Sequence, residues 1–117
     1  MGKKILFLDL DGTLLNDQKE ITDGNRQAIH QALERGVRIV VTSGRPLKSS
    51  LAQARCLGLA DEGCYVIAYN GGVIYDCSGD CVVHRETLEP EALYRVYDEA
   101  RRRGVYMQTY DREDVVI

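Results

Sequence analysis

Apolar and polar positions fall into blocks along this chain, and the spacing inside each block changes from strand-like to helix-like and back. Ile5-Leu6-Phe7-Leu8 is an unbroken apolar run behind Lys3 and Lys4, the pattern of a parallel strand buried on both faces. Polar residues 16–20 read as a loop. Ala28, Ile29, Ala32 and Leu33 then recur on one helical face, with Thr22 or Asp23 as the cap and Gly36 as the stop. Val37 to Thr42 is rich in β-branched residues and predicts a second strand. Pro46 suits the first turn of a second helix, with Leu47, Leu51, Ala54 and Leu57 inward and Gly58 ending it. A third strand, Tyr65 to Tyr69, reaches Asn70-Gly71-Gly72. Strands joined by helices in this order make a parallel sheet with right-handed crossovers, so their carboxyl ends share one edge.

The remainder keeps the α/β character. Val73-Ile74-Tyr75 and Val82-Val83-His84 flank Ser78-Gly79-Asp80 as a hairpin. Glu89-Pro90 opens a helix to Arg103 with Leu93, Val96, Tyr97 and Ala100 on one face, and Gly104 closes it. Val105 to Tyr110 and Val115-Val116-Ile117 read as two further strands.

Composition narrows the class of partner. The 117 residues are 44% hydrophobic and 28% charged, ordinary for a globular chain. A net charge of −3 argues against a nucleic-acid-binding surface, which needs clustered positive charge. Arg101-Arg102-Arg103 ends a predicted helix, where cations meet the negative end of the dipole. No stretch approaches the roughly 20 apolar residues of a membrane span, and the run after Met1-Gly2-Lys3-Lys4 is too short for a secretory signal, so a cytoplasmic protein without a membrane partner is expected. Cys56, Cys64, Cys77 and Cys81 lack the spacing of a disulfide scaffold and read as free thiols, and His30 and His84 as surface or packing residues.

Candidate chemistry gathers at the three strand ends. Asp9 and Asp11 are two apart, so in extended backbone both face one side, at the sheet edge where ligands of open α/β folds bind. Gly12 permits a sharp turn and close approach to a phosphate. Asp, Ser, Asn and Gly are also common at turns and caps for conformational reasons alone.

Together the corners carry a resemblance. Asp9-x-Asp11-Gly12-Thr13 after an apolar strand resembles the first motif of the haloacid dehalogenase-like (HAD) phosphohydrolases, in which the first Asp becomes an aspartyl-phosphate and the second is the general acid/base. Thr42-Ser43-Gly44-Arg45-Pro46 is similar to the second motif of the Cof-type subfamily, and Asn70-Gly71-Gly72 to its third-strand corner. The resemblance implies an α/β protein: a Rossmann-like HAD core of three parallel strands with helices, incomplete, with its hairpin over residues 1–84, then the start of an α/β cap over 85–117. It makes Asp9 and Asp11 catalytic and also ligands of Mg²⁺. Leu10, Gly12, Thr13, Ser43, Gly44, Arg45, Asn70 and Gly71 would bind phosphate or substrate. The implied activity is a Mg²⁺-dependent phosphatase for small phosphorylated metabolites such as sugar phosphates, nucleotides or phosphorylated cofactors. A phosphomutase-like phosphotransferase and a non-catalytic HAD-like interaction module are the alternatives.

The chain also departs from that pattern. Cof-type members are more than twice as long, and neither the family's catalytic Lys nor its Gly-Asp acidic corner has an equivalent after Gly72; Asp111-Arg112-Glu113-Asp114 lacks the glycine. Ending at Ile117 inside a predicted strand reads as truncation. Weak metal binding and little turnover by the chain alone are therefore expected. The strand carrying Asp9, central in the family, would become an exposed apolar edge, favouring self-association or pairing with a missing carboxy-terminal part.

Overall fold

The computed structural model describes residues 2–111 and 114–116. It divides into two compact units, Met1–Arg85 and Glu86–Ile117.

In the first unit, β1 (Lys4–Asp9), β2 (Val37–Thr42) and β3 (Tyr65–Ala68) run parallel, and β4 (Val73–Asp76) and β5 (Cys81–Arg85) extend the sheet antiparallel in the order β1-β2-β3-β4-β5. Helices α1 (Asp23–Glu34) and α2 (Leu47–Cys56) make the crossovers. Thr22 is the cap of α1, its hydroxyl accepting from the Asn25 amide at 3.2 Å. Pro46 stands at the cap position of α2, one residue before the first turn expected for it. Leu10, Leu15, Ile39, Val41, Leu57, Cys64 and Val66 are fully buried in one core, to which α1 adds Ile29 and α2 adds Ala54. The hairpin continues the sheet beyond β3 and turns through Asp76, whose carboxylate accepts from the Ser78 amide at 3.0 Å.

Two burial expectations fail. Among the described residues β1 has β2 on one side and no strand on the other, and Ile5, Leu6 and Phe7 are 55%, 43% and 59% exposed instead of buried on both faces. Ala28 of α1, expected inside, is also exposed; it lines a groove with Leu6 and Leu8. The expected apolar edge at β1 is therefore present.

The second unit holds α3 (Pro90–Arg103) and a two-stranded ribbon, β6 (Thr109–Asp111) and β7 (Asp114–Val116). Glu89 caps α3, Pro90 opens it, and Gly104 ends it with a left-handed φ of 64°. Val96 and Tyr97, expected on a buried face, are exposed because two strands of three residues cannot cover a helix of 14. Residues 105–108 are not strand. Part of the acidic run at 111–114 and the expected strand's last residue, Ile117, lie outside the described residues.

Candidate active site

Parallel pairing sets Asp9 level with Thr42, and Thr42 level with Ile67, so the ends of β1, β2 and β3 coincide. The first corner curls tightly: Leu14 and Thr13 donate their amides back to Asp9 and Leu10 at 3.2 and 3.3 Å, with Gly12 at a φ of 75°. Leu10, between the two aspartates, is fully buried and anchors the corner, and its amide donates to Asp9 Oδ1 at 2.9 Å. Asp9, Asp11, Gly12 and Thr13 remain exposed.

The second and third corners are stitched together. Ser43 donates its amide to the Ile67 carbonyl at 2.9 Å, while Asn70 and Tyr69 donate theirs to the Ser43 and Arg45 carbonyls at 3.0 Å. The buried Ser43 hydroxyl accepts from the Arg45 amide at 3.0 Å. A Cβ on Gly44 would stand 2.9 Å from Asn70 Oδ1, so the exposed Asn70 side chain would have to turn aside to admit one. Tyr69 and Asn70 both adopt left-handed backbone, with φ of 51° and 55°, ahead of Gly71 at 102°. A short polar side chain tolerates that region, whereas a tyrosine is strained there.

The first corner meets the second through charge. Arg45 donates from Nε to Asp11 Oδ2 at 2.9 Å and from Nη2 to Asp11 Oδ1 at 2.5 Å, a planar two-point grip. Arg45 also donates from Nη1 to the Ser49 hydroxyl at 3.2 Å, one turn into α2. Lys19 Nζ reaches Asp11 Oδ1 at 3.1 Å. The Arg45 hydrogen bonds first, then that of Lys19, hold the Asp11 carboxyl well below the usual carboxylate range, and Asp11 in turn raises Arg45.

Lys19 and Ser49 were not legible as site residues. Lys19 is delivered by a loop built on Asn16, whose Oδ1 accepts the Gln18 and Glu20 amides at 2.9 and 3.0 Å while Lys19 turns through a φ of 61°. An Asn followed by four polar residues signals such a turn but not where its lysine points. Ser49 sits four residues after Arg45, a helical spacing that the sequence does contain.

A family model described as haloacid dehalogenase-like hydrolase matches residues 6–117. The chain belongs to the haloacid dehalogenase-like hydrolases. Phosphatase-named YxeH of Bacillus subtilis is 37% identical over 112 residues, covering 96% of this chain and 42% of that protein. The 5-amino-6-(5-phospho-D-ribitylamino)uracil phosphatase YcsE of the same organism is 36% identical over 95 residues, 81% of this chain and 36% of its own length. A crystal structure of a haloacid dehalogenase-like hydrolase from Bacteroides thetaiotaomicron superposes with a TM-score of 0.80 at 33% identity, over 97% of this chain and 43% of that one. The chain thus spans about two fifths of the length of these relatives. Its mostly parallel α/β sheet is the core architecture of the family.

Proposed function

We propose that this HAD chain carries the nucleophile half of a phosphate-monoester hydrolase, with residues 1–84 as the partial core and 85–117 as the start of a cap. The supporting observation is the convergence of Asp9, Asp11, Ser43 and Arg45 on coincident strand ends, with Arg45 gripping Asp11 at both oxygens. In this reading an Asp9 oxygen attacks phosphorus as the bond to the leaving oxygen breaks, and Asp11 gives that oxygen its proton. Water then attacks the aspartyl-phosphate, releasing phosphate and restoring Asp9, and Asp11 takes the water's proton. Arg45 and Lys19 favour the Asp11 anion, the form that takes the water's proton in the second step; for Asp11 to carry the proton that the first step uses, Arg45 would have to leave its carboxylate for the phosphoryl oxygens. Ser43, Arg45 and the amides around Gly12, Thr13, Gly44, Asn70 and Gly71 would receive the phosphoryl oxygens.

Mg²⁺ is the proposed cofactor, held in part by the Asp9 carboxylate and the Asp11 main-chain carbonyl; when bound it would neutralise charge between nucleophile and phosphate. The donor set is incomplete for the six oxygens that Mg²⁺ takes, since no group of three His, Cys, Asp or Glu among the described residues is placed to hold a metal. The 117-residue chain alone is accordingly expected to bind Mg²⁺ weakly and turn over little. Small phosphorylated metabolites are the proposed substrates, in line with the phosphoribityl compound in the name of YcsE. A cytoplasmic setting suits four free thiols.

The test is a chimera that continues after Ile117 with the remaining residues of YcsE, assayed for phosphate release from p-nitrophenyl phosphate with Mg²⁺. Activity in the chimera, near-absence in the chain alone and loss on Asp9→Asn are expected. A folded chimera that keeps its activity after Asp9→Asn would overturn the reading, and transfer to a sugar hydroxyl in place of water would make it a phosphotransferase.

A further inference from the structure

Asp11 Oδ1 meets two cations, Lys19 Nζ at 3.1 Å and Arg45 Nη2 at 2.5 Å, whereas Oδ2 meets Arg45 Nε at 2.9 Å. We propose that Lys19 is a positioning residue: when a phosphoryl group draws Arg45 away, Lys19 keeps Oδ1 and leaves Oδ2 as the oxygen that exchanges the proton. The catalytic use of this contact rests on the phosphatase reading; its survival when phosphate binds does not.

Lys19 and Asp11 belong to one piece of backbone, and Arg45 to another. The buried Leu15 bridges to Asp11 on one side and to Ile21 on the other. Between Leu15 and Ile21 the loop closes on itself. The Asn16 amide donates to the Glu20 carbonyl and the Lys19 amide to the Asn16 carbonyl, both at 2.9 Å, while Asn16 Oδ1 accepts the Gln18 and Glu20 amides. Lys19 is thereby carried by the aspartate corner. Arg45 stands on the corner after β2, with Nη1 on Ser49 of α2, and its departure breaks no bond of the Asn16 loop.

The turn is also a strained place for a lysine. At a φ of 61° glycine or asparagine sits more easily, and strained backbone of this kind gathers at functional sites. Folding does not account for the pair, because the Lys19 and Asp11 side chains are 63% and 43% exposed and such ion pairs add little to stability.

The two cations differ in what they tolerate. With a proton on Oδ2, that oxygen donates and no longer suits Arg45 Nε, whereas Oδ1 still accepts from the Lys19 ammonium. The Lys19 contact therefore fits both forms of Asp11 in the cycle. In the first step the proton passes from Oδ2 to the leaving oxygen as its bond to phosphorus breaks. In the second it returns to Oδ2 from the water that attacks the aspartyl-phosphate. Holding one carboxyl oxygen keeps the other aimed, which contributes to rate through orientation.

Two measurements test the inference. In the 117-residue chain the lysines at 3, 4, 19 and 48 are reductively methylated with carbon-13 formaldehyde, which keeps their charge, and the Lys19 signal is assigned by its absence in Lys19→Arg. In tens of millimolar inorganic phosphate the Arg45 Nε–H resonance should move, while the Lys19 signal should still shift on Asp11→Asn as it does without phosphate. An Arg45 resonance indifferent to phosphate, or a Lys19 signal indifferent to Asp11→Asn in its presence, would overturn the inference. In the YcsE chimera, Lys19→Met should lower kcat on glycerol 1-phosphate about tenfold or more with KM within about twofold, and Lys19→Arg should recover most of the loss. The fall in kcat/KM should be smaller on p-nitrophenyl phosphate, whose phenolate leaves without a proton. Methionine meets the same backbone requirement at this position, and an unchanged Tm confirms that the variant is folded. A raised KM at constant kcat would make Lys19 a substrate contact, and unchanged kinetics would leave a surface ion pair; either overturns the positioning role. If the resonances behave as expected while the chimera shows no Asp9-dependent activity, the Lys19 contact stands and the phosphatase reading falls.

Discussion

Arg45 holds Asp11 at both carboxylate oxygens across 34 residues of chain, joining the corner after β1 to the corner after β2. Because the grip favours the anion, the folded pKa of Asp11 lies below its ordinary value of 3.8. The stabilisation from this group is complete above the unfolded pKa and is lost as pH falls through the folded one. Replacing Arg45 by Met should therefore move the Asp11 titration upward toward 3.8, with Lys19 still acting on it, whereas Lys19→Met should move it less. Carboxyl-carbon NMR from pH 1 to 6 measures both shifts. Equal shifts from the two variants would contradict the ranking of the two cations.

Gly44→Ala should destabilise the chain by about 0.5–1 kcal/mol, because the new methyl meets the Asn70 side-chain oxygen at 2.9 Å and that side chain has to turn aside. In an Asn70→Gly background the methyl has space, and glycine accepts the φ of 55° there, so the same substitution should cost at least about 0.5 kcal/mol less. Urea unfolding of the four-member cycle gives the coupling. Additive effects would mean that the two corners do not press on each other.

Leu10→Ala should cost about 3–5 kcal/mol, since the side chain is fully buried and its loss opens a cavity under the first corner. The exposed neighbour Thr13→Ala should change stability by less than about 0.5 kcal/mol. Urea midpoints at neutral pH separate the two.

The four thiols should divide by access. Cys56 and Cys81 are exposed, whereas Cys64 is buried and burial pushes the Cys77 thiol up to about 11. At pH 8 a chromogenic disulfide reagent should consume two thiols quickly and two only on unfolding. Cys77→Ser should leave the fast amplitude unchanged.

The elements were legible where one residue decides. Thr22, Gly36, Pro90 and Gly104 start or stop helices by their own backbone and side-chain chemistry, and all four stand at the ends read from the sequence. The corners at Ser43, Gly44 and Asn70 were also legible as turns, because a strand end followed by Gly or Asn has few geometries. What escaped depends on neighbours. Ile5 and Phe7 read as buried because apolar runs usually are, but burial is conferred by what packs beside and over the strand, and among the described residues β1 has only β2 beside it. Ala28 failed with them. Lys19 escaped because its role comes from a left-handed turn on Asn16, invisible to any period of 2 or 3.6 residues.

The backbone hydrogen bonds from the Ser43 amide to Ile67 and from the Asn70 amide to Ser43 have a use for protein engineering. They make residues 43–45 and 67–71 a single transplantable part, to be grafted whole onto another parallel sheet. The aspartate corner, tied to that part by side-chain ions, can be redesigned separately, with loop length as the free variable and the Arg45 grip as the selection.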